Sequence, residues 1–293
     1  MIGDVTRVAG DVYCVDTGAY EVPSYGAAYV VDAAEPAVVD TGTGADRETL
    51  FGALDALDVE PAHLLVTHVH LDHAGGAGYL AERYPEATVH VHERGARHLV
   101  DPSRLVQGTK AAVGDQWQFY AEPQPVSGDR IDELTDGDTV DLGDRVLDVV
   151  GAPGHAPHQV LFDDDGVLFV ADAMGIYTPQ GGVRPTSPPP QFDLWTCLDD
   201  VATVRDRDPR VVCYGHFGGV RYDPSLADAY ADALTSWVAE VRAARAALGD
   251  DEAVVERLAA APARAWIESY GPRKASADAR LNTKGVLRYL GSA

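Results

Sequence analysis

Short apolar or alternating runs, separated by Gly, Pro and Asp, fill the first part of the chain and predict β-strands. Between them, Leu50, Leu54 and Leu57 recur at helical spacing and predict a helix over 46–57; a second helix is expected over 74–84. The strands predicted in this part are 12–15, 25–31, 37–39, 63–67 and 87–92. Helices that alternate with strands in this way are typical of an α/β sheet.

The second part of the chain is again rich in strands and then becomes helical. Its predicted strands are 139–142, 145–150, 159–162, 167–171 and 211–214. Residues 101–135 are polar and interrupted by Pro and Gly, so we expect an insertion over the core rather than a core element. A helix is expected near 194–205, and a helical C-terminal portion from about 223. The two strand-rich stretches predict two sheets packed face to face in a single domain over 1–293.

Four potential metal ligands stand within six residues, directly after the predicted strand 63–67: His68, His70, Asp72 and His73. Imidazole nitrogens and carboxylate oxygens are the ligands that zinc and its first-row neighbours take in hydrolytic sites. Side chains of an extended chain alternate, so His68 and His70 point the same way, while Asp72 and His73 follow where the chain turns. Three imidazoles packed without a cation would leave competing donors and a desolvation cost. The segment therefore predicts metal binding, with a geometry suited to two ions.

Three further residues of the same types each come just past a predicted strand: His155 in a Gly/Pro loop, then Asp172, then His216. Taken alone, His155 also suits a loop residue and Asp172 a helix cap. Because the strand ends of an α/β sheet gather at one rim, we expect all three to lie near the 68–73 segment.

In chain order, the motifs are Asp40-Thr41-Gly42, His68-Val69-His70-Leu71-Asp72-His73, Pro153-Gly154-His155, Ala171-Asp172 and Gly215-His216. This set resembles the metallo-β-lactamase superfamily, and the match reaches from about 38 to 216. The resemblance implies an α/β fold, a four-layer αββα sandwich of two mixed sheets with helices on the outer faces.

By that resemblance, seven residues hold two metal ions. The first ion would take His68, His70 and His155, and the second would take Asp72, His73 and His216. Asp172 would bridge the two ions. Asp40 would orient a ligand histidine from behind, although an aspartate there also suits a turn or a helix N-cap.

The resemblance further implies a binuclear metal-dependent hydrolase. Two divalent ions, expected to be Zn with Fe or Mn as alternatives, would hold a bridging hydroxide that attacks an acyl carbon. Asp72 would hold this hydroxide by a hydrogen bond as well as bind metal. From its position five residues after Asp172, rather than from the resemblance, Tyr177 is a candidate to donate a hydrogen bond to the carbonyl of the substrate. The expected substrate is a small-molecule ester, thioester or lactone.

Several alternatives stay open at this point. The helical C-terminal portion resembles hydroxyacylglutathione hydrolases of the glyoxalase II branch. The basic cluster that would hold a glutathione tail is not evident, although Arg264, Arg273 and Lys274 could contribute to one. N-acyl homoserine lactonases fit equally well. Persulfide dioxygenases, which use one iron at the first site, are the alternative from another enzyme class. Flavodiiron proteins differ, because His70 stands where they usually carry glutamate. A metal-binding scaffold without catalysis is the third option.

The remaining histidines receive structural interpretations. His90 and His92 alternate with valines, as on the solvated face of a strand, and are not expected to bind metal. His158, three residues past His155, is expected to be structural, with a place in the lining of the cavity as the alternative.

The chain is strongly acidic, with 46 Asp and Glu against 23 Lys and Arg and a formal net charge of -23 at pH 7. Such a surface repels phosphate groups, so we expect neither nucleic acid nor an anionic membrane as a partner. Abundant Asp with scarce Lys suits a cytosol of molar salt, where charge repulsion is screened within ~3 Å. The composition therefore predicts a halophilic source.

We expect a cytoplasmic location. No apolar run approaches the ~20 residues that span a bilayer, and the first four residues lack the basic and apolar blocks of a signal peptide. Cys14, Cys197 and Cys213 form no CxxC pair and are expected to be reduced thiols. The sequence leaves the oligomeric state open.

Overall fold

The structure of the chain, a computed structural model, describes residues 3–179 and 182–292. Met1 and Ile2, part of the N-terminal segment considered above, lie outside the described residues. The chain divides into two compact units. The first comprises Met1–Gly151, His158–Ala171 and Pro209–Tyr222; the second comprises Ala152–Pro157, Asp172–Asp208 and Asp223–Ala293. The single domain over 1–293 stays a prediction.

The first unit contains two mixed β-sheets. The seven-stranded sheet runs in chain order through β1 (Val5–Ala9), β2 (Val12–Asp16), β3 (Ala27–Val31), β4 (Ala37–Val39), β5 (His63–Val66), β6 (Thr88–His92) and β7 (Ile131–Leu134). Its strands are antiparallel up to β4 and parallel from β4 to β7. The six-stranded sheet comprises β8 (Thr139–Asp141), β9 (Val146–Gly151), β10 (Val160–Asp164), β11 (Val167–Ala171), β14 (Val211–Tyr214) and β15 (Gly219–Arg221). Within it, β11 and β14 are the parallel pair.

Two hydrophobic clusters explain why these strands pack as they do. Leu64 and Val66 of β5 point to one face of their sheet, where they join Leu50 and Leu54 in a cluster with the helices. Leu65, between them, points to the other face and joins side chains of the six-stranded sheet. This alternation with period two buries both faces of β5 and packs the two sheets against each other.

The first unit has five α-helices within its described residues. They are α1 (Arg47–Leu57), α2 (Leu71–Ala74), α3 (Ala77–Arg83), α4 (Glu93–Val100) and α5 (Ser103–Val113). The leucine spacing predicted α1 correctly, since Leu50 and Leu54 are fully buried against the sheet. The helix predicted over 74–84 corresponds to α3, which begins at Ala77; Ala74 is instead the last residue of α2.

The second unit is mainly helical in its described residues. A hairpin of β12 (Ile176–Thr178) and β13 (Gly182–Arg184) precedes α6 (Leu194–Arg207), α7 (Pro224–Leu248), α8 (Asp251–Ala260) and α9 (Arg264–Ser292). Asp193, Asp223 and Asp250 cap the starts of α6, α7 and α8 by accepting backbone N–H bonds. α9 is broken at Tyr270 and Gly271, before Pro272. None of the helices in the described residues is long and apolar enough to cross a bilayer.

The interpretation of 101–135 as an insertion without core elements was wrong. Its last part forms β7, which pairs in parallel with β6, and Val126 belongs to the buried cluster between the helices and the sheet. β7 is an edge strand with two exposed acidic residues in four positions, so it lacks the apolar run by which interior strands are recognised.

The prediction that His90 lies on a solvated face was also wrong. It is only 6% exposed, and its ring bonds to His63 at 2.9 Å and to the Asp132 carboxylate at 3.0 Å. Burial, followed by the neighbouring His63, lowers the pKa of His90 to about 4, so the ring is neutral at pH 7. The alternation with valine did not mark a solvated face, because β6 lies inside the sheet. His92 is half-buried and accepts the Arg94 N–H at the start of α4.

Candidate metal centre

The end of β5 and the short helix α2 position the four clustered ligand candidates. β5 ends at Val66, and His70 is the last extended residue before α2, which carries Asp72 and His73. The His73 N–H donates to the His70 carbonyl at 3.0 Å, which closes the turn. The change from strand to helix within four residues turns Asp72 and His73 to a different direction from His68 and His70.

Asp72, His73 and His216 come together in the first unit. One ligand atom from each lies within 4.8 Å of the other two. The imidazole planes of His73 and His216 are nearly perpendicular, with ring centroids 5.3 Å apart. Two imidazoles and a carboxylate are a donor set that zinc, iron and manganese accept. These residues therefore fit a metal ion, and we call them the Asp72 trio.

Each imidazole of the Asp72 trio is fixed by a bond on its Nδ1 side. His73 donates from Nδ1 to the buried carboxylate of Asp40 at 2.9 Å, and His216 donates from Nδ1 to the Tyr25 carbonyl at 2.9 Å. A proton fixed on Nδ1 makes Nε2 the metal-binding nitrogen of each ring. Asp40 itself is held by the Thr67 N–H at 3.0 Å and the Thr67 hydroxyl at 2.9 Å.

His68 and His70 also lie close together in the first unit. His68 Nε2 and His70 Nδ1 lie 3.1 Å apart, and the ring centroid of His68 is 4.2 Å from that of His73. Three imidazoles this close would repel one another if protonated, whereas a cation can be shared among their nitrogens. His158 is buried nearby and accepts the Val69 N–H at 3.4 Å, a contact in keeping with a structural role.

In the second unit, His155 and Asp172 are buried and adjacent. His155 Nε2 lies 3.3 Å from Asp172 Oδ2. Along the chain, the loop of His155 joins β9 to β10, and Asp172 follows the last residue of β11, Ala171. Ala171 has a left-handed backbone (φ 44°), a conformation that non-glycine residues adopt at a cost and that often accompanies functional sites.

The structure thus brings the predicted site residues together in two sets. The first unit holds His68, His70, Asp72, His73 and His216, with Asp40 behind His73; the second holds His155 and Asp172. The joining of all seven in one binuclear site stays a prediction. So does the role of Tyr177, which is half-buried in the middle of β12.

Two supporting contacts had no sequence signal. The Tyr25 carbonyl that orients His216 is a backbone group, which any residue type supplies. Gly215 is needed because a Cβ there would lie 2.3 Å from Cε1 of His73. A glycine before a histidine is too common to predict such a close approach.

We expect an Asp40→Asn variant to bind metal about 10- to 100-fold more weakly than the wild type, the usual range for a residue that orients a ligand. Asparagine keeps the size of the side chain but cannot accept from both Thr67 and His73. Metal titration with a competing chelator measures the loss. Asp101→Asn, which changes an exposed carboxylate, is the matched control. Equal metal affinity in the Asp40 and Asp101 variants would contradict the orienting role.

The loop that carries His155 is anchored to α6 within the second unit. The Gly154 N–H donates to Asp200 at 2.7 Å, and the Asp193 N–H donates to the Gly154 carbonyl at 3.2 Å. A Cβ on Gly154 would lie 2.3 Å from the Cys197 nitrogen, so only glycine allows this approach. Asp200 is buried, and burial raises its pKa to about 7.

This anchor predicts that Asp200→Asn raises the free energy of unfolding, and that the increase depends on pH. Between pH 4 and pH 7 the folded chain keeps the Asp200 proton while the unfolded chain releases it, so rising pH costs ~1.4 kcal/mol of stability per pH unit. Asparagine still accepts the Gly154 N–H but carries no charge. We expect its gain in unfolding free energy to be larger at pH 8 than at pH 5, by up to ~3 kcal/mol. Chemical denaturation at pH 5 and at pH 8 measures this difference in unfolding free energy, with the exposed Asp206→Asn as control. An equal increase at the two pH values would contradict a neutral Asp200 in the folded chain.

Comparison with known proteins identifies similar chains. The model of the metallo-beta-lactamase superfamily matches residues 22–216. A metallo-beta-lactamase fold-containing protein of Sulfurisphaera tokodaii is 26% identical over 211 residues, covering 71% of this chain and 78% of that protein. A hydroxyacylglutathione hydrolase of Aeromonas salmonicida is 30% identical over 137 residues, covering 47% of this chain and 41% of that protein. The crystal structure of an archaeal protein of the same superfamily, from Sulfolobus tokodaii, aligns with a TM-score of 0.68 at 24% identity, covering 76% and 86% of the two chains. This likeness confirms the predicted αββα sandwich.

Proposed function

Because the chain belongs to the metallo-β-lactamase superfamily and is a metal-dependent hydrolase, we propose that it cleaves an ester, thioester or lactone at a binuclear metal centre. The observation that carries the proposal is the Asp72 trio, with both of its imidazoles fixed on Nδ1 by Asp40 and by the Tyr25 carbonyl. Groups held in this way are arranged before any ligand arrives.

The proposed ligand sets follow the order of motifs in the superfamily. His68, His70 and His155 would hold the first ion, and Asp72, His73 and His216 the second, with Asp172 shared between them. Support comes from the two adjacent pairs, His68 with His70 and His155 with Asp172. Further support is that His68, Asp172 and His216 each come within two residues after the end of a strand.

Bound divalent cations would supply Lewis-acid activation of water near neutral pH. The side chains of this chain supply the positioning. Asp72 is half-buried at the start of α2, so one of its oxygens can accept a hydrogen bond from water while the carboxylate stays beside His73. Asp40 keeps the Nδ1 proton of His73 in place, and Tyr177 would donate a hydrogen bond to the substrate carbonyl.

The likeness to a hydroxyacylglutathione hydrolase favours a thioester among the three substrate classes. We further propose zinc as the metal, a cytoplasmic location and adaptation to high salt, on the grounds of the His/Asp donor set and the net charge of -23.

Metal analysis together with a substrate panel tests the proposal. Protein purified without oxygen should bind two zinc ions per chain, and after loading it should hydrolyse at least one member of a panel of thioesters, esters and lactones. Chelation should abolish this activity, and zinc should restore it. One iron per chain with oxygen consumption on a persulfide, and no hydrolysis, would instead support the dioxygenase alternative.

A further inference from the structure

Five aromatic side chains, which we call the aromatic wall, form a continuous cluster in the first unit: Tyr20, Tyr25, Phe119, Tyr120 and Phe217. The ring of Tyr20 lies 5.2 Å from that of Tyr25, 5.8 Å from that of Phe119 and 5.7 Å from that of Tyr120, and all three pairs meet edge to face. Phe217 packs on Tyr25 at 5.6 Å. Edge-to-face pairs at these distances are the favoured arrangement of aromatic rings.

The aromatic wall is continuous with the Asp72 trio. The ring of Tyr25 lies 4.7 Å from that of His216, and the Tyr25 carbonyl accepts the proton of the same imidazole. Burial, followed by Tyr120 and by the Asp72 carboxylate, raises the pKa of Tyr20 well above its ordinary value. Apolar surface and candidate ligands therefore adjoin.

Two of the three hydroxyls of the wall are paired with each other. The hydroxyls of Tyr20 and Tyr120 form a hydrogen bond, and both residues are buried. Phe119 and Phe217 are half-buried, so part of each ring stays accessible. None of the five residues carries a positive charge that would recognise an anionic group. The accessible surface of the wall is therefore apolar and uncharged.

The backbone in and beside the wall includes left-handed non-glycine residues. Tyr20, Ser24 and Phe217 have left-handed φ values of 58°, 62° and 65°. Non-glycine residues adopt this region at a cost and are frequent at binding sites. The segment around Tyr20 and the turn after His216 are therefore held in uncommon conformations on both sides of Tyr25.

We propose that the aromatic wall binds the acyl side chain of the substrate, and that the preferred substrates carry an aromatic or similarly bulky apolar acyl group. This inference rests on the proposed function and narrows its substrate class. An acyl carbon next to the Asp72 trio would place its side chain against rings rather than in water. Burying a ring-sized apolar group typically changes relative rates by ~10-fold or more.

Thioesters that share one thiol and differ only in the acyl group test the inference. We expect kcat/KM of the zinc-loaded wild type to be at least ~10-fold higher for phenylacetyl than for acetyl. Phe119→Ala should lower this ratio by ~10-fold, and Phe217→Leu should lower it in the same direction. Trp195→Ala removes a ring that is 68% exposed on α6 of the second unit, and should leave the ratio unchanged.

A binding measurement separates the inference from the proposed function. By calorimetry, phenylacetate should bind the wild type at least ~10-fold more tightly than it binds Phe119→Ala. If no thioester is cleaved but phenylacetate still binds the wild type more tightly than Phe119→Ala, the proposed function is wrong and the binding site for the acyl group is supported. Equal phenylacetate affinities, or cleavage with the same acyl ratio in wild type and Phe119→Ala, would overturn the inference.

Discussion

Replacing Asp72 with alanine is expected to lower kcat by more than ~100-fold, beyond the 10- to 100-fold typical of residues that only orient a ligand. The side chain stands in the Asp72 trio and is also the half-buried carboxylate best placed to accept a hydrogen bond from the attacking water. Alanine removes both functions. The variant should also lose about one of the two bound metal ions per chain, as measured by elemental analysis after dialysis.

Two comparison variants make this result specific. Glu86→Ala removes an exposed carboxylate elsewhere in the first unit and should keep full activity and metal content. Asp72→Asn keeps the shape but weakens both metal binding and hydrogen-bond acceptance, so its kcat should fall as well. If Asp72→Ala kept two metals and wild-type kcat, the trio would not be a metal site and the proposed ligand set would be wrong.

The local spacing of ligand types was the strongest sequence signal. The four ligand candidates, His68, His70, Asp72 and His73, lie within six residues. Covalent geometry therefore nearly fixes their proximity once a strand ends before them. The contact between His216 and this segment spans more than 140 residues. Its prediction rested on the gathering of strand ends at one rim of the sheet and on the order of motifs in the superfamily. Asp40 behaves in the same way, because its bond to His73 joins distant parts of the chain.

The errors came from positions where tertiary packing decides the environment. His90 has the alternation of a half-exposed strand, yet neighbouring strands and the Asp132 carboxylate enclose it. β7 is too polar to be recognised as a strand before its pairing with β6 is known. Periodicity reports how residues alternate along a strand, but it does not report what covers each face.

The second large effect is expected for Gly215→Ala. A Cβ at this position would lie 2.3 Å from Cε1 of His73, closer than real Cβ atoms come to another heavy atom, and 3.1 Å from its Nδ1. Neither partner can move freely. The Gly215 N–H donates to Ala171 at 3.2 Å, its carbonyl accepts from Ala27 at 3.0 Å, and His73 is held by Asp40. A displacement of His73 by about 1 Å would lower kcat by ~100-fold.

The same substitution should destabilise the chain by ~1–3 kcal/mol, because overpacking at a rigid site forces the backbone or the imidazole out of place. Gly108→Ala is the matched control. Gly108 lies on α5 with no atom within 4 Å of its added Cβ, so alanine there should stabilise the helix by up to ~1 kcal/mol and leave kcat unchanged. Since Gly215 does not have a left-handed backbone, strain in φ cannot account for the loss. A Gly215→Ala variant as active as Gly108→Ala would show that His73 is not where catalysis needs it.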